Sequence, residues 1–490
     1  MSSETKQISL FRGMDRLTDF AAAVAEAGEA TELTLVRRRA AALCSRQSWP
    51  TPKDEEWRRS RVEAFEFDKM SLVLPASAKA SGQSCLVAAG SPDAALLLER
   101  AQSILAHPAA LGEDNAPRLA NLAELAAFAA IDMDGSTPST IRIAGSEALT
   151  RDGAIVAPLS SLAASCAATV GAPFAQKMSQ KAAAILAAAL ERAESSGDNR
   201  FISWNSAAWN AGIMVYVPRN TVIDRPVVID WQLRGEDCVH QPLLVVVAEE
   251  GASLEVIQRF QGDGGYLVNA ASHLAAGANA KVRLTTIQEI GKDAVWIANG
   301  HAAVGRDTRF RHTDINLGSG FAKTRFTADI NGSGSDVHLD GLYFADDSQH
   351  MDLRSVQNHN APNATSRAFF KGVVRDEART VYQGLILVAP QAGGTDAFLT
   401  NRNLVLNDGA RSDSIPTLQI RTNDVRCSHG STTGKIDPEE VFYLQNRGFS
   451  RTEAEIMIVT AYLDEVANGL PDLIRDHIHD KVADRVRRGS

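Results

Sequence analysis

Gly251-Ala-Ser-Leu-Glu-Val256, Gly277-Ala-Asn-Ala-Lys-Val-Arg-Leu284 and Gly305-Arg-Asp-Thr-Arg-Phe310 are the stretches on which the reading of this sequence turns. Each begins with turn-forming residues and passes into alternating apolar and polar positions, as in a strand with one buried face. The pattern returns at Gly332-Ser-Gly-Ser-Asp-Val-His-Leu339, Asp376-Glu-Ala-Arg-Thr-Val381 and Asp408-Gly-Ala-Arg-Ser-Asp413. Between the turn glycines 251, 277, 305 and 332 the intervals are 26, 28 and 27 residues, and later ones are longer. Periods of 20–50 residues mark solenoids and propellers. A propeller needs four strands per repeat of about 40 residues and a blade motif, and neither is visible. Short strands with no interleaved helix therefore predict a β-helix.

The strand texture starts near Gly212, with β-type runs at Met214–Pro218, Val227–Ile229, Leu243–Val247 and Leu254–Ile257. Helical signals flank it. Phe11–Ala27 and Thr31–Leu43 are rich in Ala and Leu, and Pro50 and Pro52 interrupt them. Asp54 reads as the N-cap of a short helix carrying Trp57. Lys177–Ala193 reads as a helix, whereas 71–160 shows only short apolar stretches. After the repeats, Asp437 followed by Pro438 and Glu440 opens one helix, and Ser450 with Glu453 forms a capping box for another. Ile456, Val459, Leu463 and Val466 make an apolar stripe, which suits a cap over the solenoid end or a docking helix for a partner. Asp472–Arg488 is polar and expected to fray. These readings divide the chain into a helical region 1–70, a mixed α/β segment 71–199, a β-helix 200–436 and a helical domain 437–490.

The 490 residues carry 50 Lys+Arg against 59 Asp+Glu, a net charge of -9. That balance argues against a general nucleic-acid binder. The cleanest apolar run, Leu243–Ala248, is far short of the roughly 20 residues of a spanning helix, so no membrane role is expected. The first residues show no secretory pattern, which makes the cytoplasm the expectation. Cys44, Cys85, Cys166, Cys238 and Cys427 stand singly, with no CxxC, so neither a disulfide framework nor a self-contained metal site is expected.

Asp424-Val-Arg-Cys-Ser-His-Gly-Ser-Thr-Thr-Gly434 places Cys427 and His429 two residues apart. In a strand both side chains point to one side and can address one metal or sulfur species. Spacing alone leaves open a second reading, a partly buried Cys beside a hydrogen-bonded His. Two ligands do not close a site, so a ligand role needs a second chain or open coordination. His240, His273, His301, His312, His338, His350 and His359 form no local metal motif and read as ordinary core or surface residues. Asp346, Asp347 and Asp352 read as a solvated turn rather than a carboxylate cluster. The Gly-rich turns at 262–265 and 318–320 lack the Lys-Ser/Thr of a P-loop, so no ATP site is expected in this chain.

Pro416-Thr-Leu-Gln-Ile420, the Asp424–Gly434 block and Val441-Phe-Tyr-Leu-Gln-Asn-Arg-Gly448 occur in that order. Together they resemble the C-terminal block of the SufB/SufD family of iron–sulfur cluster assembly proteins. The Cys-x-His-Gly-x-Thr form, and Asp54-Glu-Glu-Trp57 after a helical N-terminus, resemble SufD. Met214–Pro218 with Arg225-Pro226, and His359 through Pro362 and Ser366 to Gly384, also fit. Gln419 stands where the family usually has Glu, and Thr422-Asn423 where small or acidic residues are common. The resemblance implies a mainly β fold, a right-handed parallel β-helix core flanked by N-terminal and C-terminal α-helical domains. It implies a non-catalytic subunit that pairs with a SufB-like paralogue through the β-helix. A SufC-like ABC ATPase would dock on the C-terminal helices, with Tyr443, Leu444, Arg447, Ile456, Val459 and Leu463 as partner-binding candidates. His429 and Cys427 become candidate iron or cluster ligands at the SufB interface, the iron–sulfur cluster being transient and shared. A reduced flavin belongs to the family's complex, and no residue here assigns it.

Two other readings compete. A homodimeric SufB-like scaffold would bring two copies of Cys427 and His429 together. A β-helix enzyme acting on carbohydrate would show a carboxylate-lined groove and usually a secretion signal.

Overall fold

The computed structural model describes residues 10–12, 17–60, 71–73, 92–105, 125–145, 149, 153–162, 172–196 and 200–488. Cys85 and Cys166 lie outside the described residues. The chain is mainly β, a parallel solenoid of about eight turns with helices before and after it. Strands Ala211–Val217, Val227–Leu233 and Pro242–Ala248 lead in. The regular coils follow: β1 (Ser253–Gln261), β2 (Leu267–Ala276), β3 (Lys281–Gln288), β4 (Val295–Val304), β5 (Arg309–Asn316), β6 (Phe321–Ile330), β7 (Asp336–Ala345), β8 (His350–His359), β9 (Thr365–Val374), β10 (Arg379–Val388), β11 (Thr395–Val405), β12 (Arg411–Ile420) and β13 (Val425–Lys435). Odd strands stack in one parallel sheet and even strands in the other.

The repeat seen in the sequence is this stacking. Ser253 pairs with Lys281, Lys281 with Arg309 and Arg309 with Asp336, so equivalent residues sit directly above one another. The period-2 pattern then sorts side chains. On β3, Val282 and Leu284 point inward into the main core, while Lys281 and Arg283 point out. At one corner the chain turns through left-handed residues: Asn279 (φ 58°), Asp307 (φ 55°), Gly334 (φ 74°) and Asn363 (φ 55°). Each passes its backbone N–H to the carbonyl of the next coil, as in Asn279 to Arg306 at 2.8 Å. The repeating glycine has a different task. A Cβ at Gly332 would lie 2.0 Å from the Arg306 nitrogen, so the coils stack closely there only without a side chain.

Helices cover both outer faces. α1 (Leu17–Glu26), α2 (Thr31–Cys44), α3 (Pro92–Leu105), α4 (Ala172–Ser196) and α5 (Arg200–Ala208) precede the regular coils. α6 (Pro438–Gln445), α7 (Arg451–Ala467) and α8 (Asp472–Arg488) follow them. α2, α4 and α5 bury Leu267, Ala271 and Ile297 of the even sheet. α7 and α8 lie over Ile257, Ile287, Ile315, Leu342 and Val373 of the odd sheet. Asp437 caps α6 through the Glu439 N–H at 2.8 Å, and the Ser450–Glu453 capping box opens α7, as their sequences predict.

Three expectations are corrected. The Ile456–Val466 stripe covers the side of the solenoid, with α7 on β7 and β9, and does not cap its end. α8 does not fray: Ile474, Ile478, Val482 and Val486, every fourth residue, are all buried, and the charges between them hid this stripe. Residues 51–60 form consecutive turns rather than a helix, because the Asp54 carboxylate turns back to the Thr51 N–H at 2.6 Å.

α8 is held by a buried charge cluster. The Glu289 carboxylate takes bonds from Arg259 Nε at 2.7 Å and His477 Nε2 at 2.5 Å. Burial alone would raise the Glu289 pKa, but the His477 bond and the Arg259 charge outweigh it and hold the carboxyl far below its usual range. Its folded pKa lies below its unfolded value, so its stabilisation is complete above about pH 4.3 and is lost as pH falls further. Glu289→Gln should therefore cost about 3–5 kcal/mol at pH 7, because it removes the buried carboxylate charge that faces Arg259 and His477. Urea unfolding of both proteins reads this, with the gap narrowing below about pH 4; an unchanged midpoint at pH 7 would show the cluster contributes nothing.

Candidate functional site

The last coil is open. Among the described residues β12 has only β10 as a strand partner and β13 only β11. Both therefore end their sheets with a row of unpaired backbone N–H and C=O groups, the feature that invites another chain to add a strand. Natural solenoids cover such ends; here α7 and α8 lie along the flank instead.

Parallel register carries the Cys-x-His motif to this edge. Cys427 pairs with Ala397 and His429 with Leu399, both on inward-facing rows. The i, i+2 spacing thus puts thiol and imidazole on one face, as the sequence predicts. Cys427 is half-buried against the end of the core and His429 is exposed. Burial pushes the Cys427 thiol pKa up, the Ala397 backbone bond offsets part of this, and the Asp396 carboxylate adds to the rise. The thiol is protonated at neutral pH until a cation or partner charge reaches it. A Cβ at Gly430 or Gly434 would meet nothing within 4 Å, so the space beyond this strand is open. No group of three His, Cys, Asp or Glu able to hold a metal occurs among the described residues. Cys427 and His429 can supply two ligands and no more.

The sequence reading missed the floor of this coil. Below Ser431 and Thr433 lie Asn401 and Asn403. Tyr343 Oη donates to Asn403 Oδ1 at 2.5 Å, Asn403 Nδ2 donates to Asn401 Oδ1 at 2.8 Å, and Asn401 Nδ2 donates to Tyr343 Oη at 3.0 Å. All three residues are buried, so the bonds close a ring inside the solenoid in which each strengthens the next. The alternation Asn401-Arg-Asn403 was the available signal, but only the stacking shows that both amides point inward.

The other candidates are dispersed. His273 and His301 are register neighbours under α4, with His301 bonded to Asp329 at 2.7 Å. Asp352, read as part of a solvated turn, is buried between Lys323 (2.6 Å) and Ser60 (2.7 Å). Asp346 is buried too, bonded by Lys292 at 2.7 Å. Of the docking candidates, Tyr443 and Arg447 are exposed and Leu444 is half-exposed; α6 buries nothing. Val459 and Leu463 are buried against the solenoid, with Ile456 half-buried beside them. Phe442, 65% exposed, and Met457 were not singled out and stand in the open.

Tyr343→Phe should cost about 1–3 kcal/mol, because it takes the donor from the buried Asn403 Oδ1 and leaves Asn401 Nδ2 with the Phe370 carbonyl at 3.4 Å. Thermal unfolding measures this, and a melting temperature within error of the parent protein's would remove the ring from the account of the terminal coil.

The family model described as SUF system FeS cluster assembly, SufBD core domain, matches residues 232–462. The iron-sulfur cluster assembly SufBD family protein of Mycobacterium bovis is 35% identical over 268 residues, covering 53% of this chain and 67% of that protein. The Mycobacterium leprae protein of the same description is 34% identical over 271 residues, covering 53% and 68%. One from Staphylococcus saprophyticus is 27% identical over 277 residues, covering 56% and 60%. The matched region contains the regular coils, the Cys427–His429 strand and α6. The chain belongs to the SufBD family of SUF-system iron–sulfur cluster assembly proteins.

Proposed function

We propose that this chain is a SufD-like, non-catalytic subunit of an iron–sulfur cluster assembly complex. Family membership supports the assembly role. One observation carries the finer reading: an open terminal coil that sets Cys427 and His429 side by side at an unpaired strand edge. A SufB-like paralogue adds its strands there and supplies the remaining ligands. Thiolate and imidazole suit iron, and a mixed set holds a nascent cluster less tightly than an all-thiolate set, as a scaffold must release its product. Iron and sulfide are cargo in this reading, and no flavin enters it.

α6 and the turn after it form the docking face for a SufC-like ATPase, with exposed Phe442, Tyr443 and Arg447. Arg447 lies over the Tyr443 ring at 4.9 Å, so the two are presented together. α7 and α8 carry α6 without offering their own stripes. Removing the whole segment after Asp437 would bare Ile315, Leu342 and Val373, so surface substitutions are the cleaner test.

In cells that depend on this pathway, His429→Ala should lower iron–sulfur enzyme activity at least tenfold with protein level unchanged; full activity would end the ligand role. Phe442→Asp with Tyr443→Ala should abolish co-purification of the ATPase while the melting temperature holds, and retained binding would move docking elsewhere. If the isolated chain, reconstituted anaerobically with iron and sulfide, holds a stoichiometric cluster, the homodimeric scaffold replaces the heteromeric reading.

A further inference from the structure

A groove of about 310 Å³ lies on the outer face of the even sheet at the open end. Its floor is Gln383 and Leu385 of β10 and Ile415, Thr417 and Gln419 of β12. Its wall is the strap of turns at residues 48–59. We propose that this groove is the side-chain recognition pocket for the strand that a solenoid partner adds to β12. The inference rests on the pairing reading of the terminal coil and names what selects the partner.

The wall is fixed before any partner arrives. Trp57 stacks on Phe201 at 5.3 Å, and Trp49 meets Trp204 edge-on at 5.4 Å. The Glu56 carboxylate is bound by Arg325 (2.8 Å) and Arg354 (2.7 Å), and its carbonyl takes the Lys323 ammonium at 2.7 Å. Ser60 bonds to Asp352 at 2.7 Å. A preorganised wall loses little freedom on binding, so its contacts appear as affinity and selectivity. This network places Glu56 and Trp57 of the Asp54-Glu-Glu-Trp57 motif on the solenoid 260 residues or more away in sequence.

The floor points to the occupant. β12 is the last strand of its sheet, and a strand added to its free edge would lie about 4.8 Å away. Every second side chain of that strand would rise on the same face as Ile415, Thr417 and Gln419, at the groove mouth. In strand addition, backbone bonds give affinity and pockets for alternate side chains give specificity. The charges at the rim are the exposed acids Asp54 and Glu55 and the half-buried Arg59, whereas the Arg354 and Arg325 charges are spent on Glu56, so the acids are in excess. The amides of Gln383 and Gln419 and the Thr417 hydroxyl complete a polar lining above Leu385 and Ile415. The matching occupant is an outward-facing Lys or Arg of the partner strand, its stem on Leu385 and Ile415 and its head at Glu55.

The test uses the full-length chain and its purified SufBD-type paralogue from the same host, followed by analytical ultracentrifugation. Thr417→Trp fills the groove and should weaken association at least tenfold. Thr432→Trp, outward-facing on β13 of the same coil but away from the groove, should change it less than threefold. Glu55→Lys should weaken association in low salt and reduce its salt dependence. The fluorescence of Trp49 should shift to the blue on association and lose that shift in Trp49→Phe. Association unaffected by Thr417→Trp, or weakened equally by Thr432→Trp, overturns the groove and leaves the pairing reading standing. If the wild-type chains do not associate at all, the pairing reading fails and the groove falls with it.

Discussion

Parallel, in-register stacking of the coils is the constraint on which the rest of this structure depends. Each strand satisfies its backbone on the strands above and below, so β1–β11 have no free edge and β12 and β13 each keep one. Buried backbone groups are almost always paired. An end that cannot be paired internally must be twisted away, covered or shared. Here the helices that follow cover the flank, and among the described residues the end stays open.

Register converts sequence spacing into chemistry. Stacking puts the inward positions of successive coils in columns, so Cys427 stands on Ala397 and His429 on Leu399. One residue of slip would turn both outward and break the columns below. The same columns bring Tyr343, Asn401 and Asn403 together although 58 and 60 residues separate the tyrosine from its amides. A polar ring in the core costs stability unless every member is satisfied, and here the three bonds close on themselves. The terminal coil thus rests on a floor with one geometry, which holds the strand of Cys427 and His429 in one place.

The helices divide along similar lines. The even face receives α2, α4, α5 and the strap of turns; the odd face receives α7 and α8, fastened through Glu289, His477 and Arg259. An apolar stripe on a helix buries itself on the nearest apolar face. That is why Val459 and Leu463 serve packing, and why α6, which contacts little of the solenoid, is left with exposed aromatic side chains.

Much of this was legible in the residues. Alternation and a period near 27 residues determine a stacked β-structure, because only strands bury side chains every second position and only a solenoid repeats them at that interval. Capping residues at Asp437 and Ser450 mark their helices, since those hydrogen bonds are local. The Cys427–His429 pair was visible because its geometry is set within one strand. What the sequence did not determine are contacts across coils. The burial of Asp352 against Lys323, the Tyr343–Asn401–Asn403 ring, the inward turn of the α8 stripe and the strap's place beside β12 all depend on which residues the stacking brings to one column or one face. Local spacing carries no information about that, and tertiary packing decides it because each buried polar or apolar group must find its partner in space rather than in sequence.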